Sequence, residues 1–335
     1  MRLSDFDYAL PEELIAQEPL EARDASRLLV VDRDAQTTEH RRFSEILDYL
    51  RDDDLMVFNN TRVIAVRLEG FKETGGKVEA LLMKRLSPGV WEAMVKPGRR
   101  VGVGLKLLFD SGLVADVTDR TNSGSRILRF EGDAAEEKIA AAGQVPLPPY
   151  IHSRLDNPER YQTVYASSDG SAAAPTAGLH FTPPMLERIR ARGIQTVFVT
   201  LHVGIATFRP VRTDNLDDHE MHSERFEISA QSARAINSAR GRIVCVGTTT
   251  ARALESAAVG KREVAPMCGD TNLFIRPPYE FQVVEAMITN FHVPKSTLLI
   301  MVSSFAGSEL VRRAYREAVY EKYRFLSFGD VMFLH

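Results

Sequence analysis

The sequence predicts a three-layer α/β domain with an inserted small antiparallel β-barrel domain. Apolar, β-branched runs at 55–59 and 194–203 are separated by segments that carry helix signals, which is typical of an α/β sheet. Residues 63–147 differ, because six short alternating segments follow one another between turn-forming residues. We therefore expect a discontinuous α/β catalytic domain, residues 1–62 plus 148–335, and a barrel domain, residues 63–147.

Residues 1–62 contain two predicted helices, 10–15 and 45–50, and two predicted strands, 26–32 and 55–59. The second strand ends in four consecutive polar residues, namely Asn59, Asn60, Thr61 and Arg62. Ligands of open α/β sheets bind at the carboxyl ends of strands, so these side chains are candidates for substrate binding. A simple turn is the alternative interpretation of the two asparagines.

The predicted barrel carries a basic cluster, comprising Lys84, Arg85, Lys96, Arg99, Arg100 and Lys106. Glu92 is the only acidic residue between the first and last of these. A nucleic acid is attracted to such a cluster through its phosphates, and we expect contacts at Lys96, Arg99 and Arg100. The alternative interpretation is a solvated barrel rim.

A loop–helix–strand unit occupies residues 172–203. The loop, 172–178, consists almost entirely of small residues, so a ligand can approach its backbone closely. Thr182 is a predicted N-cap of a helix that Gly193 ends, and an apolar strand follows. A histidine lies at each end of this unit, His180 and His202. An ordinary connection between strands is the alternative interpretation.

The C-terminal part continues the α/β pattern. Ser229 and Ser296 are predicted N-caps, and apolar strands are predicted at 242–246, 283–289 and 328–334. The first of these strands leads into Gly247 and three threonines, followed by a helix predicted at 251–258. This arrangement places hydroxyls and amides at a helix N-terminus, where anions bind.

Residues 217–224 form the densest ionisable stretch of the chain. Its two histidines are one residue too close for a zinc-protease motif, and the chain has no G-x-S-x-G, Walker A or G-x-G-x-x-G motif. As extended chain, Glu220, His222 and Glu224 share one face, and a histidine between carboxylates can act as a base. A solvated loop with local ion pairs is the alternative interpretation.

Composition limits the possible function classes. The 335 residues are 44% hydrophobic and 26% charged, as in globular proteins, and no apolar run is long enough to cross a membrane. The two cysteines cannot form a disulfide framework or a four-cysteine zinc site. A net charge of −3 leaves room only for a local basic patch toward nucleic acid. We expect a cytoplasmic protein.

Motifs in order along nearly the whole chain resemble the S-adenosylmethionine:tRNA ribosyltransferase-isomerase family of queuosine biosynthesis. They include FNNTRV at 58–63, PLPPYI at 146–151, AAPTAGLHF at 173–181, VTLHVG at 199–204, MHSE at 221–224, VGTTT at 246–250 and TNFH at 289–292. The long ungapped matches are highly specific. The chain departs from the family at Ala206, where a glycine is usual.

The resemblance implies a reaction, its substrates and a fold with an α/β domain and an inserted barrel. The ribosyl part of S-adenosylmethionine is transferred to the aminomethyl group of 7-aminomethyl-7-deazaguanine at the wobble position of a tRNA, and is isomerised to an epoxycyclopentane. Adenine and methionine leave. The resemblance implies S-adenosylmethionine as a co-substrate, no metal and no permanently bound cofactor, and we expect a monomer.

The family motifs give three groups of candidate site residues. Catalytic candidates are His222, Glu224, His202 and His180. Substrate-binding candidates are Asn59, Asn60, Thr61, Arg62, Thr176, Gly178, Gly204, Thr248, Thr249, Asn290 and His292. The tRNA-binding candidates are Lys96, Arg99 and Arg100, with Arg312, Arg313 and Arg316 as the alternative footprint. We favour His222 with Glu224 for proton transfer, and His202 is the rival.

Two other functions remain open at this point. A protein that binds tRNA or S-adenosylmethionine without catalysis would have Ala206 as its mark, and it would release no adenine. A methyltransferase would release S-adenosylhomocysteine instead of adenine and methionine.

Overall fold

The computed structural model describes residues 1–335 except 65–66, 111, 123, 133, 144, 154, 205–210 and 212. The described residues form two compact units. The α/β unit consists of Met1–Arg62, Pro148–Ser168 and Ala174–His335, and the barrel unit consists of Val63–Leu147 and Asp169–Ala173. The predicted fold class, a mixed α/β protein with a closed antiparallel barrel, is confirmed.

The described residues contain nineteen strands and six α-helices. The strands are β1 Arg27–Asp32, β2 Thr37–Arg42, β3 Leu55–Asn59, β4 Thr61–Val63, β5 Arg67–Lys72, β6 Lys77–Ser87, β7 Val90–Lys96, β8 Lys106–Phe109, β9 Val114–Arg120, β10 Arg126–Phe130, β11 Ser168–Ser171, β12 Gln195–Leu201, β13 Glu224–Ile228, β14 Ile243–Val246, β15 Ala258–Gly260, β16 Glu263–Val264, β17 Met267–Thr271, β18 Ala286–Asn290 and β19 Val331–Leu334. The α-helices are α1 Ala135–Ala142, α2 Pro183–Ala191, α3 Ala230–Asn237, α4 Thr248–Ser256, α5 Thr297–Ala306 and α6 Ser308–Tyr320.

The α/β unit is built on a nine-stranded sheet in the order β17-β13-β12-β3-β14-β18-β19-β1-β2. The four central strands β12, β3, β14 and β18 are parallel, and β13 and β17 are added antiparallel at one edge. All five residues of β3 are buried, as its continuous apolar run predicts. The parallel centre therefore has one common carboxyl edge.

One face of this sheet packs on α2 and on a 3-10 helix, Phe43–Tyr49. Met56 and Phe58 of β3 belong to that core together with Phe181, whose ring lies 5.1 Å from the ring of Phe58. On the other face, α4 packs against β3, β12 and β14. Helices on both faces bury β3, β14 and β18 completely, whereas β12 is only partly buried.

The barrel unit contains a closed six-stranded antiparallel barrel in the order β10-β7-β6-β5-β8-β9. Buried and more exposed residues alternate along its strands, as in β7, where Trp91, Ala93 and Val95 are buried. This period of two produced the alternating pattern in the sequence. The single strand predicted at 63–69 was wrong, because β4 ends at Val63 and Ile64 is not part of a strand, whereas Arg67 belongs to β5.

The predicted helix caps are confirmed. The hydroxyls of Thr182, Ser229 and Ser296 accept hydrogen bonds from backbone N–H groups three residues later, at the starts of α2, α3 and α5. Gly193 follows α2 with φ of 85°, the left-handed conformation expected after a helix.

Other helix predictions need correction. The segments 10–15 and 45–50 form 3-10 helices, Glu12–Leu14 and Phe43–Tyr49, and α4 begins at Thr248 instead of 251. Gly247 precedes α4 with φ of 95°, so the glycine makes the turn and the threonines lie inside the helix. None of the helices among the described residues is long and apolar enough to cross a membrane.

Gly241 provides a test of the packing at the amino-terminal edge of the sheet. An added Cβ would lie 2.3 Å from the carbonyl oxygen of Asp53, which also accepts a hydrogen bond from the N–H of Gly241. We expect Gly241→Ala to lower the free energy of unfolding by about 1–3 kcal/mol, because the backbone at β3 and β14 must shift. Chemical denaturation measures this. Gly269→Ala is the matched control, since nothing lies within 4 Å of its added Cβ, and an equal loss in both variants would contradict the argument.

Candidate active site

The candidate active site lies at the carboxyl edge of the four parallel strands. Asn59 ends β3, Leu201 ends β12, Val246 ends β14 and Asn290 ends β18. This edge is where open α/β sheets bind ligands. Most of the polar residues that the sequence predicts for the site follow directly after these strands.

Asn59 ties three of these elements together. Its Oδ1 accepts hydrogen bonds from the N–H groups of Thr61 (3.1 Å) and Leu201 (3.0 Å). Its Nδ2 donates to the carbonyl of Leu201 (2.9 Å) and to the hydroxyl of Thr249 (3.2 Å). The side chain is fully buried. Asn59 therefore fixes the ends of β3 and β12 and the first turn of α4, and it acts on a ligand only through these neighbours.

The next two residues each bond to a residue at the end of β12 or just beyond it. The Oδ1 of Asn60 accepts a hydrogen bond from the hydroxyl of Thr200 (2.7 Å). The hydroxyl of the buried Thr61 lies 2.8 Å from Nδ1 of His202. The backbone N–H of His202 donates to the backbone carbonyl of Arg225 in β13. The imidazole of His202 is thus held from Nδ1 at the carboxyl edge of the sheet.

A buried ion pair supports the same edge from β13 and α4. Oε2 of Glu224 lies 2.6 Å from Nη1 of Arg252, and both side chains are almost fully buried. Oε1 of Glu224 accepts a hydrogen bond from the N–H of Gly204 (2.9 Å), and Nη2 of Arg252 donates to the carbonyl of His222 (3.0 Å). Burial raises the pKa of the Glu224 carboxyl, and the Arg252 charge acts in the opposite direction. The pair fixes the backbone at Gly204 and at His222.

His180 lies between two other strands of the sheet. Its Nδ1 lies 2.8 Å from the hydroxyl of Ser26, and Nδ2 of Asn290 donates to its Nε2 (3.2 Å). The amide of Asn290 also donates to the carbonyl of Leu326, so Nε2 of His180 is the acceptor and Nδ1 carries the proton. Burial lowers the pKa of His180 to about 4. His180 is therefore neutral at pH 7, with both ring nitrogens occupied.

His292 is buried, and its backbone is hydrogen-bonded to two tyrosines, Tyr8 and Tyr315. The ring Nε2 of His292 lies 2.9 Å from the hydroxyl of Thr289, and the backbone N–H of His292 donates to the phenolic oxygen of Tyr315. Burial lowers the pKa of His292 to about 3. A buried, neutral imidazole that is hydrogen-bonded to a threonine is suited to packing.

Comparison with known proteins identifies the family of this chain. A sequence model described as "Queuosine biosynthesis protein" matches residues 3–334. The chain belongs to this queuosine biosynthesis family. Its fold is similar to the crystal structure of the S-adenosylmethionine tRNA ribosyltransferase from Thermotoga maritima, with 40% identity and a TM-score of 0.57 over 99% of this chain and 100% of that one.

Curated relatives cover the whole chain. The S-adenosylmethionine:tRNA ribosyltransferase-isomerase of Symbiobacterium thermophilum is 52% identical, and the enzyme of the same name from Acetivibrio thermocellus is 50% identical. The one from Caldanaerobacter subterraneus is 51% identical. Each comparison covers 100% of both chains. The family resemblance found from the motifs is therefore confirmed.

The family's small-residue loop runs across the carboxyl edge of the sheet as a 3-10 helix, Thr176–His180. A Cβ added to Gly178 would lie 2.0 Å from the hydroxyl of Tyr165, and the N–H of Gly178 donates to the carbonyl of Pro175. Glycine is thus required here for packing against Tyr165. We expected the backbone of this loop to approach a ligand, and the structure directs the N–H of Gly178 into the loop itself.

The remaining predicted residues lie at several places. Arg62 forms an exposed ion pair with Glu159, Thr176 begins the loop helix, and Thr248 is buried in the first turn of α4. In the barrel unit, Lys96, Arg99 and Arg100 are exposed at the end of β7 and in the 3-10 helix that follows. Ala206 lies outside the described residues. The described residues include no cluster of three or more side chains suited to a metal ion.

Arg252 is the functional candidate that the sequence reading missed. It lies in the sequence Ala-Arg-Ala-Leu, on a helix whose neighbouring positions are small or apolar. A charged residue among buried helix positions needs a partner of opposite charge. The position of Arg252 in a mostly buried helix therefore indicates a buried acidic partner. That partner is Glu224, which the sequence analysis names as a candidate for proton transfer.

The two buried histidines make the stability of the fold depend on pH. Both have folded-state pKa values well below the ordinary 6.5, so the unfolded chain binds protons first when the pH falls. Stability is complete above about pH 6.5 and falls toward pH 4, by about 2 kcal/mol per histidine between pH 7 and pH 5. We expect His292→Gln, which can keep the bond to Thr289, to flatten this slope in denaturation at pH 5, 6 and 7. His152→Gln, at an exposed position, is the control, and an unchanged slope in His292→Gln would refute the assignment.

Proposed function

We propose that this chain is an S-adenosylmethionine:tRNA ribosyltransferase-isomerase. It transfers the ribosyl part of S-adenosylmethionine to 7-aminomethyl-7-deazaguanine at the wobble position of a tRNA, isomerises it to the epoxycyclopentane of epoxyqueuosine, and releases adenine and methionine. The observation that carries the proposal is the full-length identity of 50–52% to enzymes of that name. The polar carboxyl edge of the sheet, with His202 held by Thr61, supplies the groups that such a reaction needs.

The chemistry makes three demands on the site. The sulfonium of S-adenosylmethionine acidifies the protons at C5′, so a base must stand near that carbon. The departing adenine needs a proton, and the attacking amine must be neutral. Each demand is a proton transfer, and a histidine at the carboxyl edge is the side chain suited to it at neutral pH.

We propose His202 as the residue that transfers the proton, in preference to His222. His202 is fixed from Nδ1 by Thr61, at the end of a central parallel strand. His222 is exposed, and its backbone carbonyl is the part that Arg252 holds. The carboxylate of Glu224 bonds to Arg252 and Gly204, so we propose that Glu224 positions the backbone and does not itself accept a proton. His180 is a positioning residue of the loop, since both its ring nitrogens are bonded.

The function and the role of His202 are tested together. The wild-type protein, incubated with S-adenosylmethionine and the precursor tRNA, should release adenine and methionine in equal amounts. His202→Gln should lower kcat by about 10²–10⁴-fold with little change in S-adenosylmethionine affinity, because general acid–base catalysis is lost. His222→Gln is the comparison variant and should retain most of the rate.

Three results would decide otherwise. No adenine from the wild type would refute the proposed reaction, and S-adenosylhomocysteine as the product would indicate a methyltransferase. If His222→Gln loses the rate and His202→Gln retains it, the two histidines exchange roles.

We propose that the basic side chains of the barrel unit contact tRNA phosphates. Lys96, Arg99 and Arg100 are exposed and lie within five residues of one another. Replacing all three by Ala should weaken tRNA binding and reduce the slope of log K against log salt by up to three phosphate contacts. Filter binding at several salt concentrations measures both. The triple variant Arg312→Ala, Arg313→Ala, Arg316→Ala on α6 is the control, and a loss in that variant alone would place the footprint on α6.

A further inference from the structure

A groove of about 660 Å³ runs beside β12 within the α/β unit. Its walls are the outer edge of β12, the residues Ser167 and Ser168, and the first turns of α3. The volume is in the range of small-molecule sites. None of the residues proposed for proton transfer is among those that line this groove.

The groove lies where the described part of the chain places no neighbouring strand along most of one edge of β12. Among the described residues, β13 pairs with β12 only at Thr200 and Leu201, whereas β3 pairs with β12 from Gln195 to Val199 on the other side. The amino-terminal part of β12 therefore has a strand on one side and the groove on the other. This part of the sheet edge is open to a ligand.

The peptide groups of β12 alternate between the two sides. The carbonyl of Val199 accepts a hydrogen bond from the N–H of Asn60 on the β3 side. The carbonyl of Phe198 accepts one from the hydroxyl of Ser232 on the groove side (2.7 Å). Because successive residues of a strand point their peptide groups to opposite sides, those of Thr196 point to the groove as well. The groove thus offers N–H donors and carbonyl acceptors in one plane.

The lining is nearly neutral. Among the described residues that line the groove, Glu227 is the one with a charge, and most of the others carry hydroxyl, amide or small apolar side chains. A phosphate would find no cation here. A ligand with a positive charge is favoured by the carboxylate of Glu227, which is exposed.

One end of the groove is lined by residues that neighbour the proposed catalytic residues in the chain. Asn60 and Thr200, which are hydrogen-bonded to each other, line the groove. Thr61 follows Asn60 directly, and His202 follows Thr200 by two residues. The side chains of Thr61 and His202 are also hydrogen-bonded to each other, at the carboxyl edge. This end of the groove is therefore the end nearest to His202 along the chain.

We propose that this groove binds the adenosyl part of S-adenosylmethionine, an inference that rests on the proposed function. The planar adenine ring has donors and acceptors at its edge that match the peptide groups of a strand edge. The sulfonium is a cation, which Glu227 attracts. A base of the tRNA would carry flanking phosphates, for which the groove has no partner.

Two measurements on binding test the groove. With the wild-type protein, S-adenosylmethionine should slow hydrogen–deuterium exchange of the amides of residues 195–199. Ala235→Trp, on the α3 wall, should fill the groove and raise the Kd for S-adenosylmethionine at least tenfold in calorimetry, with tRNA affinity unchanged. Arg234→Trp, one residue away on α3 and outside the lining, is the matched control.

Glu227→Gln removes the charge that attracts the sulfonium. It should raise the Kd for S-adenosylmethionine several-fold but leave the affinity for free adenine unchanged.

The outcomes separate the groove from the reaction. If the wild type releases adenine, but exchange at 195–199 is unaffected and the folded Ala235→Trp protein binds S-adenosylmethionine like wild type, the groove proposal is wrong and the function stands. If Ala235→Trp weakens tRNA binding instead, the groove binds a nucleotide of the RNA and the proposal is equally wrong. A wild type that binds S-adenosylmethionine in the groove but releases no adenine would support the groove and refute the reaction.

Discussion

The four hydrogen bonds of the Asn59 carboxamide are the constraint on which the carboxyl edge depends. An amide buried away from water is costly unless its donors and acceptors are satisfied. Asn59 meets that requirement only when the end of β12, the chain after β3 and the first turn of α4 are all in place. The position of Thr61, and with it the hydrogen bond to His202, follows from this network. One buried side chain thus couples the register of the sheet to the geometry of the site.

The histidines show how burial separates structural roles from chemical ones. His180 and His292 are buried, and desolvation lowers the pKa of each so far that neither is charged at neutral pH. His202 occurs in an equally characteristic family motif, but it lies at the carboxyl edge, where a ligand can reach. Glu224 is buried as well, and its charge is tolerated because Arg252 and the Gly204 amide compensate it. A titratable residue in a conspicuous motif is therefore not by itself a proton-transfer residue.

The sequence predicted those elements whose physical cause is local. Continuous apolar runs identified β3 and β14, period-two alternation identified the barrel, and Thr182, Ser229 and Ser296 identified helix starts. It missed β2 and β17, because the residues of these outer strands are mostly exposed and carry no apolar pattern. At the site, the sequence located the polar edge but not the roles within it. An asparagine at the end of a strand gives the same sequence pattern whether it makes a turn, contacts a ligand or, as Asn59 does, joins two strands by hydrogen bonds. The partner of Arg252 lies 28 residues away in sequence, and only the fold brings the two together.

The way β13 joins the sheet links the outer edge of β12 to the chemistry. An open strand edge normally invites pairing with another chain, and natural proteins cover or interrupt such edges. Here β13 pairs with β12 only at its carboxyl end, where it also supplies Glu224 to the buried ion pair, and Ser232 occupies one carbonyl below. If β13 paired along all of β12, it would cover this edge of β12 and leave no space for the groove. The antiparallel strand thus stabilises the edge where the site lies and leaves space directly beneath it. That arrangement explains why a sheet in which β3, β14 and β18 are completely buried still has room beside β12 for a ligand.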